Sequence, residues 1–161
     1  LKVIRNESNI GLPSSINKGI NQAKGEYIVR VDSDDFVNSK FLEFLSYYLD
    51  TNEEIDAVAC DYYLVDENEN VIKRRNAFNS PIACGILFRK ERIFDIGLYD
   101  ENLKYQEEVD LRIRFMEKYT IERVAVPMYR YRRHRNNMTN NKSKMKEYEE
   151  KLIIKHGNNI K

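Results

Sequence analysis

The chain has 161 residues, 42% of them hydrophobic and 33% charged, with a formal net charge of +1 at pH 7. That length suits one domain with its own core, and the balanced charge argues against a general polyanion binder and against a nucleic-acid partner. No apolar run approaches the ~20 residues that cross a bilayer, so a cytoplasmic protein is expected, at most peripheral to the inner face of a membrane.

In chain order, Leu1 to Ile4 reads as a short strand, followed by a turn at Asn9-Ile10-Gly11. Residues 13 to 24 read as a helix: Pro13 suits its first turn, Ile16, Ile20 and Ala23 share a face, and Gly25 ends it. Glu26 to Val31 is an almost continuous apolar run, the pattern of a parallel strand buried on both faces. A second helix is expected over Ser39 to Asp50, capped by Asn38 or Ser39, with Phe41, Leu42, Phe44, Leu45 and Tyr48 on its apolar side. Ala57 to Val65 and Val71 to Arg74 suggest a hairpin across Glu67 to Asn70. Pro81 to Arg89 is a further apolar segment, and Lys90 to Phe94 a short helix stopped before Gly97. A longer helix is expected from Glu107 to Lys118 with Val109, Ile113 and Met116 on its face. Strands follow at Ile121 to Val126 and Tyr129 to Arg133, then a charged helix from Ser143 to Lys155, on which His156 reads as solvated. The alternation of strand and helix is that of an α/β domain, here residues 1–140, with 141–161 as a helical tail. Cys60 and Cys84 fall in apolar runs and read as buried reduced thiols. Two histidines and no cysteine pair at ligand spacing argue against a structural zinc site.

The stretch VRVDSDDFV carries the chemistry. Asp32, Asp34 and Asp35 follow a buried strand directly, where ligands bind in open α/β sheets. Three acids exceed what a helix dipole needs. An Asp-x-Asp turn suits Mg²⁺ or Mn²⁺, which favour carboxylate oxygens together with substrate phosphates. Glu107 and Glu108 start a helix, where acids are common, and Glu108 with Arg112 has the spacing of a surface ion pair. Their pattern alone is equally a helix start or a catalytic acid pair. Tyr129 to Arg135, YRYRRHR, could grip a diphosphate through bidentate arginines, or could be a charged edge strand.

Four blocks in the first half carry a resemblance: Asn9-Ile10-Gly11-Leu12-Pro13, Asn17-Lys18-Gly19-Ile20, Ala23-Lys24-Gly25-Glu26-Tyr27-Ile28 and Arg30-Val31-Asp32-Ser33-Asp34-Asp35. In the second half Ala83 to Phe88, Ile96 to Glu101, Glu107 to Arg112 and Tyr129 to His134 continue it. In this order and spacing, residues 3 to 140 resemble family 2 glycosyltransferases of the GT-A fold. The resemblance implies a mixed α/β sheet flanked by helices. It also implies inverting transfer of a sugar from a nucleotide diphosphate sugar to a saccharide or lipid-linked acceptor, in bacterial surface polysaccharide synthesis. Asp32, with Arg30, Arg132 and Arg133, would contact the donor; Asp34 and His134 would hold Mn²⁺ or Mg²⁺; Asp35 would support the loop. Glu108 falls at the base position, usually Asp in the family, with Glu107 as its substitute.

Members of the family begin with a strand–helix–strand region carrying the nucleotide base, and this sequence starts after it. The expectation is therefore an N-terminally truncated domain, weak or inactive alone, that self-associates through an exposed sheet edge. Two competing readings are a catalytically inactive scaffold module and a magnesium-dependent phosphohydrolase. The latter would want Thr or Ser after its second acid, where Asp35-Phe36 stands.

Overall fold

The computed structural model describes residues 2–135 and 137–157. The elements are α1 (Leu12–Gln22), β1 (Tyr27–Val29), β2 (Phe36–Val37), α2 (Phe41–Thr51), β3 (Ala57–Val65), β4 (Val71–Arg75), β5 (Ile86–Arg89), α3 (Lys90–Asp95), α4 (Glu107–Met116), β6 (Ile121–Arg132) and α5 (Lys142–His156). One mixed sheet has the order β1-β5-β3-β6-β2, with β4 also paired to β3.

β3 organises the core because its side chains alternate between two buried faces. Val58, Cys60 and Tyr62 join Phe41, Leu45 and Leu49 of α2 on one face. Ala57 and Ala59 join Ile20 of α1 and Leu111 and Phe115 of α4 on the other. Phe88 of β5 meets Phe115 edge to face, with ring centroids 5.0 Å apart. Cys60 and Cys84 are buried free thiols, as their apolar settings suggest.

Several expectations are corrected. β1 is an edge strand paired antiparallel to β5, while the parallel partners are β3 and β6; an apolar run signals burial but not the direction of the neighbour. Residues 2–4 form no strand, and Leu1 lies outside the described residues. The adjoining segment is tied to α1 instead, where Lys18 Nζ donates to Arg5 O and Asn6 Oδ1. Residues 121–132 make one strand, not two; its register against β3 slips around Asp61, which faces Pro127. Asp61 takes Arg123 at 2.7 Å and Arg74 at 2.9 Å, which satisfies the charge buried at this irregularity. Lys40 stands at the N-cap of α2, and Asn38 Oδ1 accepts from its amide. Along that helix Leu42 is exposed and Leu49 buried.

α4 turns a different face inward from the expected one. Leu111, Phe115, Glu107 and Asp110 are buried, while Met116 is exposed. Ion pairs make this arrangement tolerable, and hydrophobic periodicity cannot see them. Asp110 is paired with Arg114 at 2.7 Å, Lys155 at 2.7 Å and His156 at 2.8 Å. His156 is thus a buried partner of Asp110, not a solvated residue. Together with Tyr148 and Leu152, which pack on Leu103, Tyr105 and Val109, it fixes α5 to the start of α4. Among the described residues no helix is long and apolar enough to cross a membrane.

Candidate active site

The acidic turn is built on a buried tyrosine. The chain leaves β1 and closes a turn through the Asp35 amide, which donates to Asp32 O at 3.1 Å. Tyr129 of β6 is fully buried below it. Its hydroxyl donates to Asp35 Oδ2 at 2.6 Å and accepts from the Asp32 amide at 3.2 Å. The Arg132 amide donates to Asp35 Oδ1 at 2.8 Å. Burial pushes the Asp35 carboxyl up, opposed by these two donors. Asp35 pins the loop to the sheet, and Tyr129 is the residue that makes the pin.

Arg30 reaches from the same turn to the helix opposite. Its guanidinium donates to Asp32 at 2.6 and 3.0 Å and to Glu107 Oε1 at 2.9 Å. Both Arg30 and Glu107 are shielded from water, so the bridge is strongly felt. Arg30 and Glu107 are 77 positions apart in sequence, and through Asp32 the bridge joins the two acidic motifs.

The start of α4 depends on Gln106, which adopts the left-handed conformation at φ 58°. A non-glycine residue there is strained unless its surroundings hold it; here its side-chain amide donates to Met145 O of α5 at 2.8 Å. This turn brings Glu107 and Glu108 to one cleft of about 530 Å³, which Asp32, Asp34 and Asp35 line from the other side.

The two glutamates then diverge. Glu107 is committed to Arg30, whereas among the described residues no other side chain hydrogen-bonds to Glu108. The spacing that invited a Glu108–Arg112 ion pair does not close within 4.0 Å. Burial, then the charge of Glu107, push the Glu108 carboxyl up to about 7. An acid held near neutrality in a cleft has the property a proton acceptor needs.

Asp34 is the open member of the turn. Its Oδ2 lies 2.7 Å from His134 Nε2, with the Asp34 side chain 40% exposed. The buried Asn137 side chain positions His134, accepting from its amide at 2.6 Å and donating to Arg132 O at 3.1 Å. An accessible carboxylate beside an imidazole is a donor set that suits Mn²⁺. Ligand atoms of Asp32, Asp35 and Cys84 also lie within 4.8 Å of one another. That group fits a hard cation poorly. Burial and Asp32 push the Cys84 thiol up to about 12, so it stays protonated. Both carboxylates already have partners, Arg30 for Asp32 and Tyr129 with the Arg132 amide for Asp35.

The structure therefore brings Arg30, Asp32, Asp34, Glu107 and Glu108 to one cleft, with His134 against Asp34. It does not bring Arg132 or Arg133 into the lining. Arg132 pairs with Glu69 at 2.8 Å, on the turn between β3 and β4, and Arg133 is exposed. Tyr129 and Gln106 escaped the sequence reading. The alternation of Tyr and Arg from Tyr129 to Arg132 is the signal that could have placed Tyr129 on the inner face, whereas no sequence signal marked Gln106.

Comparison with known proteins bears on the family and the fold. The family model described as glycosyl transferase family 2 matches residues 1–159. An uncharacterized glycosyltransferase of Methanocaldococcus jannaschii is 29% identical, covering 98% of this chain and 60% of its own length. The minor teichoic acid biosynthesis protein GgaB of Bacillus subtilis is 28% identical over 81% of this chain and 16% of its own length. Among solved structures, S. aureus TarS 1-349 in complex with UDP-GlcNAc superposes with a TM-score of 0.69 at 20% identity, covering 95% of this chain and 49% of that one. The chain thus spans only part of each protein it matches, and shares the GT-A fold of the last. It belongs to glycosyl transferase family 2.

Proposed function

We propose that this chain carries the catalytic centre of an inverting glycosyltransferase, taking a sugar from a nucleoside diphosphate sugar to an acceptor hydroxyl in surface-polymer synthesis. The observation that carries this reading is the convergence of the acidic turn and the α4 start on one cleft, with Glu108 unpaired and its carboxyl raised. TarS was solved with UDP-GlcNAc, and GgaB is named for teichoic acid biosynthesis; both support a nucleotide sugar donor and a polymer acceptor for this chain.

In this reading Glu108 takes the acceptor's hydroxyl proton as that oxygen bonds to the anomeric carbon. The bond from that carbon to the diphosphate breaks, and its electron pair leaves with the diphosphate. Asp32, oriented by Arg30, accepts hydrogen bonds from donor hydroxyls. Asp34 and His134 would hold Mn²⁺ or Mg²⁺, which when bound neutralises charge on the departing diphosphate. Glu107 keeps Arg30 in place and the neighbouring carboxylate basic.

Calorimetric titration of Mn²⁺, with and without UDP, tests the donor half on this chain and on Asp34→Asn. Mn²⁺ binding that strengthens with UDP and falls at least about tenfold in the variant is expected, since one carboxylate is a large share of such a site. Equal binding by both proteins would remove Asp34 from the metal site. A chain that binds neither ligand would favour the inactive scaffold.

A further inference from the structure

A second cavity lies beyond Glu108, outside the donor cleft. It measures about 610 Å³, with carbon walls that include Phe78, Ile86, Ile113 and Met116, and with Arg112 and Glu117 as its charged residues. Between them a small neck of about 30 Å³ shares Ile82, Ala83 and Glu108 with the cleft and Ile86 and Arg112 with the second cavity, and Pro81 lines all three. The base candidate thus lines both the cleft and the neck, and Arg112 both the neck and the apolar chamber.

α4 sets the order of groups along this wall. Glu108, Arg112 and Met116 are spaced four residues apart on one helical stripe, so each lies about 6 Å beyond the last. Arg112 is half-buried, and among the described residues it has no hydrogen bond or ion pair. Burial lowers its pKa, yet a guanidinium remains charged. The charge of Glu108 offsets part of this cost without closing an ion pair, and a partly desolvated guanidinium whose five donors are unmet gains when an oxyanion bonds to it. Phe78 is 52% and Met116 60% exposed, so the chamber presents carbon to solvent where an alkyl chain would gain by burial. Glu117, at the outer end, repels an anion and so favours one orientation: charge toward Arg112, chain toward Phe78 and Met116.

We propose that this chamber is an acceptor-side site for an amphiphilic anion, with an apolar chain against Phe78 and Met116 and a phosphate-type oxyanion on Arg112. The hydroxyl to be glycosylated would then lie close to the anionic group, in the neck at Glu108. The acceptor assignment rests on the sugar-transfer reading of Glu108; the amphiphile site does not.

The test is calorimetry on this chain with decyl phosphate below its micelle concentration, decanol and methyl phosphate. Decyl phosphate is expected to bind at least about tenfold more tightly than either control, the size of one charge-assisted contact. Arg112→Gln should remove the advantage of decyl phosphate over decanol, and Met116→Trp, a substitution at an exposed position, should weaken both. Circular dichroism melts check that each variant is folded, and Arg112→Lys, which keeps the charge, should retain part of the preference. No binding, or equal binding of decyl phosphate by wild type and Arg112→Gln, overturns the proposal. So does displacement of decyl phosphate by UDP with Mn²⁺, which would place the probe in the donor cleft. A dimer by light scattering that decyl phosphate leaves intact would make a second copy the occupant and also overturn it. If decyl phosphate binding depends on Arg112 while UDP does not bind, the amphiphile site stands and the acceptor assignment falls with the sugar-transfer reading.

Discussion

The two acidic motifs of the cleft are alike in composition and opposite in how they are held. In the turn after β1, Asp32 is gripped by Arg30 and Asp35 by Tyr129, so two of its three carboxylates serve the loop. At the start of α4 Glu107 is bound to Arg30, while its neighbour Glu108 is half-buried and, among the described residues, has no side-chain hydrogen bond or ion pair. A paired buried acid reports structure; an unpaired one is unfavourable and persists when function needs it. The comparison separates acids that hold the site from Glu108, which among the described residues has no side-chain hydrogen bond, and from Asp34, an exposed carboxylate that meets His134.

The sharpest way to break it is Glu108→Gln. Turnover of a UDP-sugar, followed by UDP release, should fall by about 10²–10⁴-fold, the contribution of a positioned base. If Glu107→Gln abolishes turnover and Glu108→Gln does not, the roles are reversed. Next in size is Arg30→Met, which leaves Asp32 and Glu107 without their common partner. Removing one side of a buried ion pair costs about 3–5 kcal/mol, and urea unfolding should show a loss near the lower end, because Asp32 is partly exposed. Tyr129→Phe is smaller: the loop keeps its ring packing but the buried Asp35 loses a donor, at about 1–3 kcal/mol.

The smallest effect is the most discriminating. The Glu108 carboxyl is raised from 4.5 to about 7 in the folded chain. The folded state therefore binds more protons than the unfolded one across that interval, and Glu108 lowers stability as pH rises through it. Glu108→Gln, which cannot ionise, should melt higher than wild type at pH 8 and near it at pH 4. The same variant would then be less active and more stable at pH 8, which a purely structural Glu108 does not explain. A gap between the melting curves that does not widen with pH would remove the raised carboxyl.

Much of the architecture was legible in local patterns. The hairpin Ala57–Val65/Val71–Arg75 follows from two β-rich runs around a polar turn, and α1 from Pro13 and its apolar stripe. The acidic turn was legible as a candidate site because three like charges after an apolar run have no local reason to persist, and the structure puts all three on the cleft wall. The inward face of α4 was not, because periodicity counts apolar side chains and this helix buries Glu107 and Asp110 through partners elsewhere in the chain. For the same reason His156 looked solvated: its partner Asp110 is 46 positions away.

Sequence alone determined the helices and the β3–β4 hairpin, and which acids gather after β1 and at α4, since propensity, turn chemistry and charge repulsion act between near neighbours. Tertiary structure decided that β3 and β6, and not β1, are the parallel pair, and that Arg30 closes on Glu107. It also decided that Arg132 turns to Glu69 and away from the cleft, while Glu108 is left unpaired. Burial and pairing depend on distances across the fold, and these exist only once the sheet and its helices have packed.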